Sequence, residues 1–387
     1  MSDRRRTRFL AVSVVAASLL SVSVAREPVQ AREFDAASQA LVAQAGPREQ
    51  TAGEKYKNVQ VMKDMPVSQF DDAMVYMSAA TGQNCDGCHV LTPEGIWQME
   101  KDDNDHKTTA RTMLTMVQAI NQTHFKGEQR VMCTTCHSGR SEPLATTPLA
   151  QMMTADQLAM AAARTPGAPR PQPPVETVDQ VFDKYLAAVG GREALSKVTS
   201  RVMKGTVTTR ANQTIPYTVE EKASGAIRSS AVVSPALTIT KAFDGKAGWI
   251  QAGKDGGDYA GIELASIGRS GELGFALQVK NQLSRMAVGR YEKIDGQDVI
   301  AVNGRSNPNV METLYFDRVS GLLVRRIVRL GTVMGQVPVQ YDYADYRSVE
   351  GVKVPHQIRQ TTWDEVMTAK FSEVTLNTPI DDARFRR

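Results

Sequence analysis

The chain has 387 residues, of which 42% are hydrophobic and 23% charged, and its formal net charge is +4. This balance is that of a folded globular protein, and the charge is too mild to argue for nucleic acid or a membrane surface as a partner. The length calls for about two or three domains.

The first element in the chain is an export signal. Residues 1–31 read MSDRRRTRFLAVSVVAASLLSVSVAREPVQA, with Arg4, Arg5, Arg6 and Arg8 ahead of an apolar run from Phe9 to Ala25. Ser23 and Ala25 supply the small residues of a cleavage position. The run is short for a bilayer span, so the expectation is a cleaved signal and a periplasmic location, by the general secretory route. Retention of the run as a membrane anchor is the competing reading.

All four cysteines fall in two copies of one motif. Cys85, Asp86, Gly87, Cys88 and His89 spell CxxCH, and Cys133, Thr134, Thr135, Cys136 and His137 spell it again. Two thiols at this spacing add to the vinyl groups of a haem, and the adjacent histidine ligates its iron, so the motif predicts two covalently bound haem c groups. Zinc sites use the same residue types, but rarely follow both CxxC pairs immediately with histidine. A thioredoxin-like reading needs one CxxC in a βαβ setting, which the sequence does not offer.

Each motif follows a predicted helix carrying two methionines three residues apart. Upstream of the first, Pro66 and Ser68 mark a helix start, and Phe70, Met74, Met77 and Thr81 recur at helical spacing. Upstream of the second, Met113, Met116, Val117 and Ile120 share one face, and Thr108 or Thr109 is the expected cap. A thioether is a suitable second axial ligand, although a methionine stripe is also ordinary core packing. Between the motifs, Lys101, Asp102, Asp103, Asp105 and Lys107 read as a solvated loop, and His106 and His124 as surface residues.

The segments NVQVMKDMPVSQFDDAMVYMSAATGQNCDGCHV and ARTMLTMVQAINQTHFKGEQRVMCTTCHSGR resemble the first two haem-binding segments of the photosynthetic reaction-centre cytochrome c subunit family. The likeness extends to flanking words such as VSQF, ARTM and AIN. It implies that Met74 and Met113 are axial ligands opposite His89 and His137, and that Met77 and Met116 pack beside the porphyrins. The family's four-haem pattern is not met, since a third and fourth CxxCH are lacking. His124 lies several residues earlier than the position where that family can place a histidine ligating another haem.

A short helix from Thr154 to Ala163 and a proline-rich stretch between Pro166 and Pro174 predict a linker over residues 146–177. From Val178 onward an amphipathic helix, ended by Gly190 and Gly191, precedes a long series of strand-like runs. Val337, Val339, Tyr341 and Tyr343 fall on one face, FDRVSGLL and YRSVEGVKVP mark hairpins, and one helical insertion is expected from Ala260 to Met286. Glu220, Glu221 and Asp342 are expected on the solvent face, and His356 in a structural role. KGTV, FDG and the LYFD…VSGLLVRR phrase resemble the half-barrel of the periplasmic lipoprotein-carrier and outer-membrane lipoprotein-sorting family, in which the concave face shelters acyl chains.

The expected architecture is therefore multidomain. A mainly α-helical dihaem cytochrome c domain over residues 50–145 precedes an α+β domain with a curved antiparallel sheet over residues 178–387. With Cys85, Cys88, Cys133 and Cys136 holding the haems, and Met74, His89, Met113 and His137 on the irons, the expected work is one-electron transfer between redox partner proteins, a membrane complex among them, and not enzymatic catalysis. A peroxidase-like dihaem enzyme, a true reaction-centre subunit, and a lipid-binding protein with accessory haems are the alternatives. Lipid or lipoprotein contact would fall to the C-terminal domain.

Overall fold

The computed structural model describes residues 49–93, 96–145, 175–271, 273–307 and 309–387. The export signal and the helix expected over Thr154–Ala163 lie outside the described residues. The segment carrying the cysteine motifs consists of α1 (Ala52–Lys55), α2 (Val67–Thr81), a small hairpin of β1 (Val90–Leu91) and β2 (Trp97–Gln98), α3 (Asp105–Phe125) and α4 (Cys133–Cys136). Two helices, α5 (Val178–Ala188) and α6 (Gly191–Ser196), then lead into the sheet.

The sheet strands are β3 (Ser200–Thr208), β4 (Thr214–Lys222), β5 (Ile227–Ser234), β6 (Leu237–Phe243), β7 (Gly248–Ala252), β8 (Asp255–Asp258), β9 (Ser284–Ile294), β10 (Gln297–Asn307), β11 (Val310–Asp317), β12 (Leu323–Gly331), β13 (Gln336–Val349), β14 (Val352–Thr361) and β15 (Val366–Leu376). They form one curved antiparallel sheet in the order β8-β7-β6-β5-β4-β3-β15-β14-β13-β12-β11-β10-β9. Two meanders, β3 to β8 and β9 to β15, are thus joined along β3 and β15, where Met203 lies opposite Val374. Between β8 and β9 the chain makes not one helix but two, α7 (Gly261–Gly268) and α8 (Phe275–Gln282). Gly271 and Gly274 fall between them, and glycine costs a helix about 1 kcal/mol per residue.

Local chemistry explains the elements. Helix α5 starts with a capping box: the Thr177 hydroxyl accepts from the Gln180 N–H at 3.2 Å, and the Gln180 amide oxygen accepts from the Thr177 N–H at 2.7 Å. It buries Val181, Phe182 and Tyr185 at helical spacing. In β13 the alternation is realised as expected: Val337, Val339, Tyr341 and Tyr343 are all buried. Hairpins join β11 to β12 and β13 to β14, as the FDRVSGLL and YRSVEGVKVP phrases predict.

The helices close over one face of the sheet. Phe182, Tyr185, Ile262, Phe275 and Val279 pack against Leu314, Phe316, Leu323, Val328 and Val339. Helix α2 joins the same core through Tyr76 and Ala80, which are 1% and 0% exposed. The chain thus covers its own inner sheet face with the segment that carries the cysteine motifs.

Several carboxylates expected toward solvent are buried instead. Glu221 accepts from Arg201 Nε at 2.7 Å, and Glu220 is shared by Arg228 and Arg384. Glu312, with no exposed side-chain surface, is held by Arg326 Nε at 2.9 Å and also by Arg269. Strand alternation alone marks carboxylates as outward, but a guanidinium from a neighbouring element satisfies them inside. Asp342 is partly buried and paired with Arg325. His356 is buried, with Nδ1 3.0 Å from the Val354 carbonyl oxygen, in keeping with a structural role.

Candidate functional site

The four cysteines form no disulfides: Cys85 and Cys136 are exposed, Cys88 and Cys133 half-buried. Burial pushes the Cys85, Cys88 and Cys133 thiols above their ordinary pKa. At Cys85 the negative charges of Asp364, Asp86 and Glu263 add to that effect. Glu263 belongs to α7 and Asp364 to the turn between β14 and β15, so the sheet region supplies part of the field around the first motif. Among the described residues, no group of three or more His, Cys, Asp or Glu side chains converges as a metal site. The two cysteine pairs do not meet in one four-ligand cluster.

Each motif histidine is oriented by a backbone carbonyl. His89 Nδ1 lies 3.2 Å from the Met99 oxygen, and His137 Nδ1 lies 2.9 Å from the Arg140 oxygen. A carbonyl can only accept, so Nδ1 carries the proton and the Nε2 lone pair is left for a metal. Burial lowers the His89 pKa, favouring the neutral ring that ligates metals. The donor set of both motifs therefore fits a c-type haem: two thiols, then an imidazole in the metal-ligating tautomer.

The two methionine helices differ. On α2, Met74 and Met77 are half-buried beside Ala73, Tyr76 and Ala80, which are buried. On α3, 21 residues long, Leu114 and Asn121 are the buried residues, while Met113 and Met116 are 41% and 44% exposed. Leu91, Ile96, Trp97, Met99 and Phe125 also stand exposed in this segment. Of the twelve large hydrophobics exposed among the described residues, eight lie between Leu91 and Leu144. Such a concentration of apolar surface around attachment motifs suits a large flat apolar group.

The flanking words of the motifs turn out to be ties. In VSQF, the Val67 N–H donates to the Gln50 carbonyl at 3.0 Å and the Ser68 N–H to the Glu49 carboxylate at 2.7 Å, satisfying the start of α2. In ARTM, Arg111 reaches Asp102 at 2.8 Å and the Asn58 carbonyl at 3.1 Å. In AIN, buried Asn121 donates to the Val131 carbonyl at 2.8 Å and accepts from the Arg130 and Val131 N–H groups at 3.0 and 2.9 Å. That last clasp fixes the strap leading into Cys133.

Helix α3 is capped by Asn104, whose side chain accepts from the His106 N–H at 2.9 Å, and not by Thr108 or Thr109. Thr108 lies inside the first turn and donates to the Asp105 carbonyl. Asp102 is not merely solvated: it is paired with Arg111 and Lys107, and the Arg111 hydrogen bond is the first cause of its lowered pKa. His106 and His124 are exposed, as expected, but His106 Nδ1 also lies 2.9 Å from the Gly87 carbonyl inside the first motif.

Nothing in the sequence points to Tyr76. Its hydroxyl lies 3.1 Å from the Thr134 hydroxyl, inside the second CxxCH. A buried tyrosine between two methionines reads as core, and its polar tip is matched only in three dimensions.

Residues 19–206 match the family model of the photosynthetic reaction centre cytochrome C subunit. The photosynthetic reaction center cytochrome c subunit of Thermochromatium tepidum is 37% identical over 97 residues, covering 24% of this chain and 22% of that protein. Its counterpart in Roseobacter denitrificans is 34% identical over 103 residues, covering 24% of this chain and 27% of that protein. The chain thus spans about a quarter of the length of the curated relatives it matches. Among solved structures, a LolA superfamily protein of Nitrosomonas europaea aligns with a TM-score of 0.38 at 13% identity, over 55% of this chain and 99% of that one. A domain described as an outer membrane lipoprotein-sorting protein, from Vibrio parahaemolyticus, aligns with a TM-score of 0.37 at 11% identity, over 53% of this chain and 94% of that one.

Proposed function

We propose, from the premise that residues 19–206 resemble reaction-centre cytochrome c subunits, that the protein is an exported c-type cytochrome carrying single electrons between redox partners. Its haem domain would be residues 50–145, with one haem attached through Cys85 and Cys88 and a second through Cys133 and Cys136. His89 and His137 would ligate the irons, with Met74 and Met113 opposite. The observation that carries the reading is the pair of motif histidines, each with Nδ1 held by a backbone carbonyl and Nε2 left for iron.

A bound haem c supplies a one-electron couple. The residues of the chain do the rest. The cysteines would fix the group covalently, the carbonyls of Met99 and Arg140 hold each imidazole in its tautomer, and the Met74 and Met113 thioethers would occupy the irons and so exclude a small-molecule substrate. Among the described residues no helix is long and apolar enough to cross a membrane.

The inner sheet face supports a scaffold in preference to a lipid carrier. Tyr76, Ala80 and the helices α5, α7 and α8 occupy it, and two cavities there measure about 60 and 40 Å³.

The test is a haem count and a redox titration of the exported protein. Expected are two haems per chain, two one-electron waves, and no carbon monoxide adduct on reduction. Substituting Met74 or Met113 should move one wave each and open that iron to carbon monoxide. Prompt adduct formation in the unaltered protein would make it a candidate enzyme instead, and a haem-free exported chain would end the proposal.

A further inference from the structure

Three parts of the chain meet at the hydroxyl and ring of Tyr76. The residue sits on α2, the helix of the first motif, and is 1% exposed. Its hydroxyl lies 3.1 Å from the Thr134 hydroxyl and accepts from the Thr134 N–H at 3.4 Å. Thr134 is the second residue of α4, and Met132, at the cap position before that helix, offers no good acceptor side chain. Tyr76 therefore supplies from outside the partner that an N-terminal N–H needs.

The ring of Tyr76 lies against the turn between β12 and β13. A Cβ added to Gly335 would come within 2.5 Å of the ring, so only glycine allows this approach. The turn itself is stiff: the Thr332 N–H donates to the Gly335 carbonyl at 2.7 Å, and the Thr332 hydroxyl accepts from the Gly335 N–H at 3.1 Å. The same turn reaches the strap before the second motif, since Gln129 donates to the Val333 carbonyl at 3.0 Å. Beyond α4, the Gly139 N–H donates to the Ala80 carbonyl of α2 at 2.7 Å.

We propose that Tyr76 is a positioning residue through which the β12–β13 turn holds the second CxxCH against the helix of the first, so that the sheet sets how the second haem site is placed. This rests on the dihaem reading above. It assigns the C-terminal domain a role in the redox centre, in addition to any partner contact.

The experiment uses the full-length exported protein with Tyr76→Phe, Thr134→Val and the double variant. Both single changes remove one hydroxyl and keep the ring or the side-chain shape. Haem content and the two midpoint potentials are read by titration with optical and electron paramagnetic resonance detection. Expected is a shift of one wave only, the same wave in both single variants, with no shift in the double variant beyond that of Tyr76→Phe, which already removes the hydroxyl contact that Thr134→Val removes. Unchanged waves, equal movement of both waves, or additive shifts in the double variant would overturn the positioning role while leaving the dihaem reading intact. A haem-free unaltered protein would instead remove the dihaem reading, and the positioning role with it. Gly335→Ala approaches the same contact from the sheet side and should move the same wave; movement of the other wave would count against the role.

Discussion

In the sheet, Val302, Leu314, Leu323 and Val337 are 0% exposed, whereas on α3 the methionines Met113 and Met116 are 41% and 44% exposed. The sheet closes its own core from strands and helices of this chain. Helix α3 has 21 residues and buries two, one of them the polar Asn121. Helical stability in proteins comes mostly from a packed apolar face, and α3 buries far less of one against this chain than the sheet does. Helix α2 lies between these extremes, since Tyr76 and Ala80 anchor it in the sheet's core while Met74 and Met77 remain half-buried.

The sharpest way to break this contrast is to remove the attachment points. Replacing Cys85, Cys88, Cys133 and Cys136 with alanine should abolish nearly all amide-exchange protection in α3, while β10 to β13 keep theirs. Retained protection in α3 would show that the motif segment is self-sufficient. A smaller effect, in the opposite region, is expected for Arg326→Met. It strips buried Glu312 of a partner and should cost about 3–5 kcal/mol in denaturant unfolding.

That second variant also has a pH signature. Burial acts to raise the Glu312 pKa, but the charges of Arg326 and Arg269 outweigh it and hold the carboxyl below its ordinary value. A lowered folded pKa gives stability that is present above the unfolded carboxylate value, about 4.3, and is lost as pH falls through the folded pKa. Without Arg326 the acid-side loss should begin at higher pH. An unfolding profile parallel to that of the unaltered protein would remove this pair from the sheet's stability. The smallest effect is expected for Asp102→Asn, on the exposed loop of the motif segment. Its pairs with Arg111 and Lys107 should yield a slight drop in melting temperature that shrinks with added salt.

Much of the candidate site was legible because its donor groups are local. The CxxCH spacing, the methionine helices and the histidines can be read from windows of a few tens of residues. The hairpins around FDRVSGLL and YRSVEGVKVP were equally local, since the glycines allow tight turns, with Gly321 and Gly351 at φ 77° and 84°. The cap of α3 was misplaced because Asn104 and Thr108 are both good caps, and only the backbone decides which stands at the boundary. Glu220 was misplaced for a longer-range reason: its partner Arg384 lies 164 residues away.

By itself the sequence determined where the two CxxCH motifs stand, which segments alternate as strands, and where the chain turns, because each depends on neighbours within one element. Tertiary structure alone decided that α2 lies on the inner face of the sheet, that Tyr76 reaches Thr134 58 residues on, and that Gly335 admits its ring. Those facts come from packing between elements distant in sequence. A buried hydroxyl or carboxylate is tolerated only where a partner arrives, and no periodicity within its own strand or helix reports that arrival.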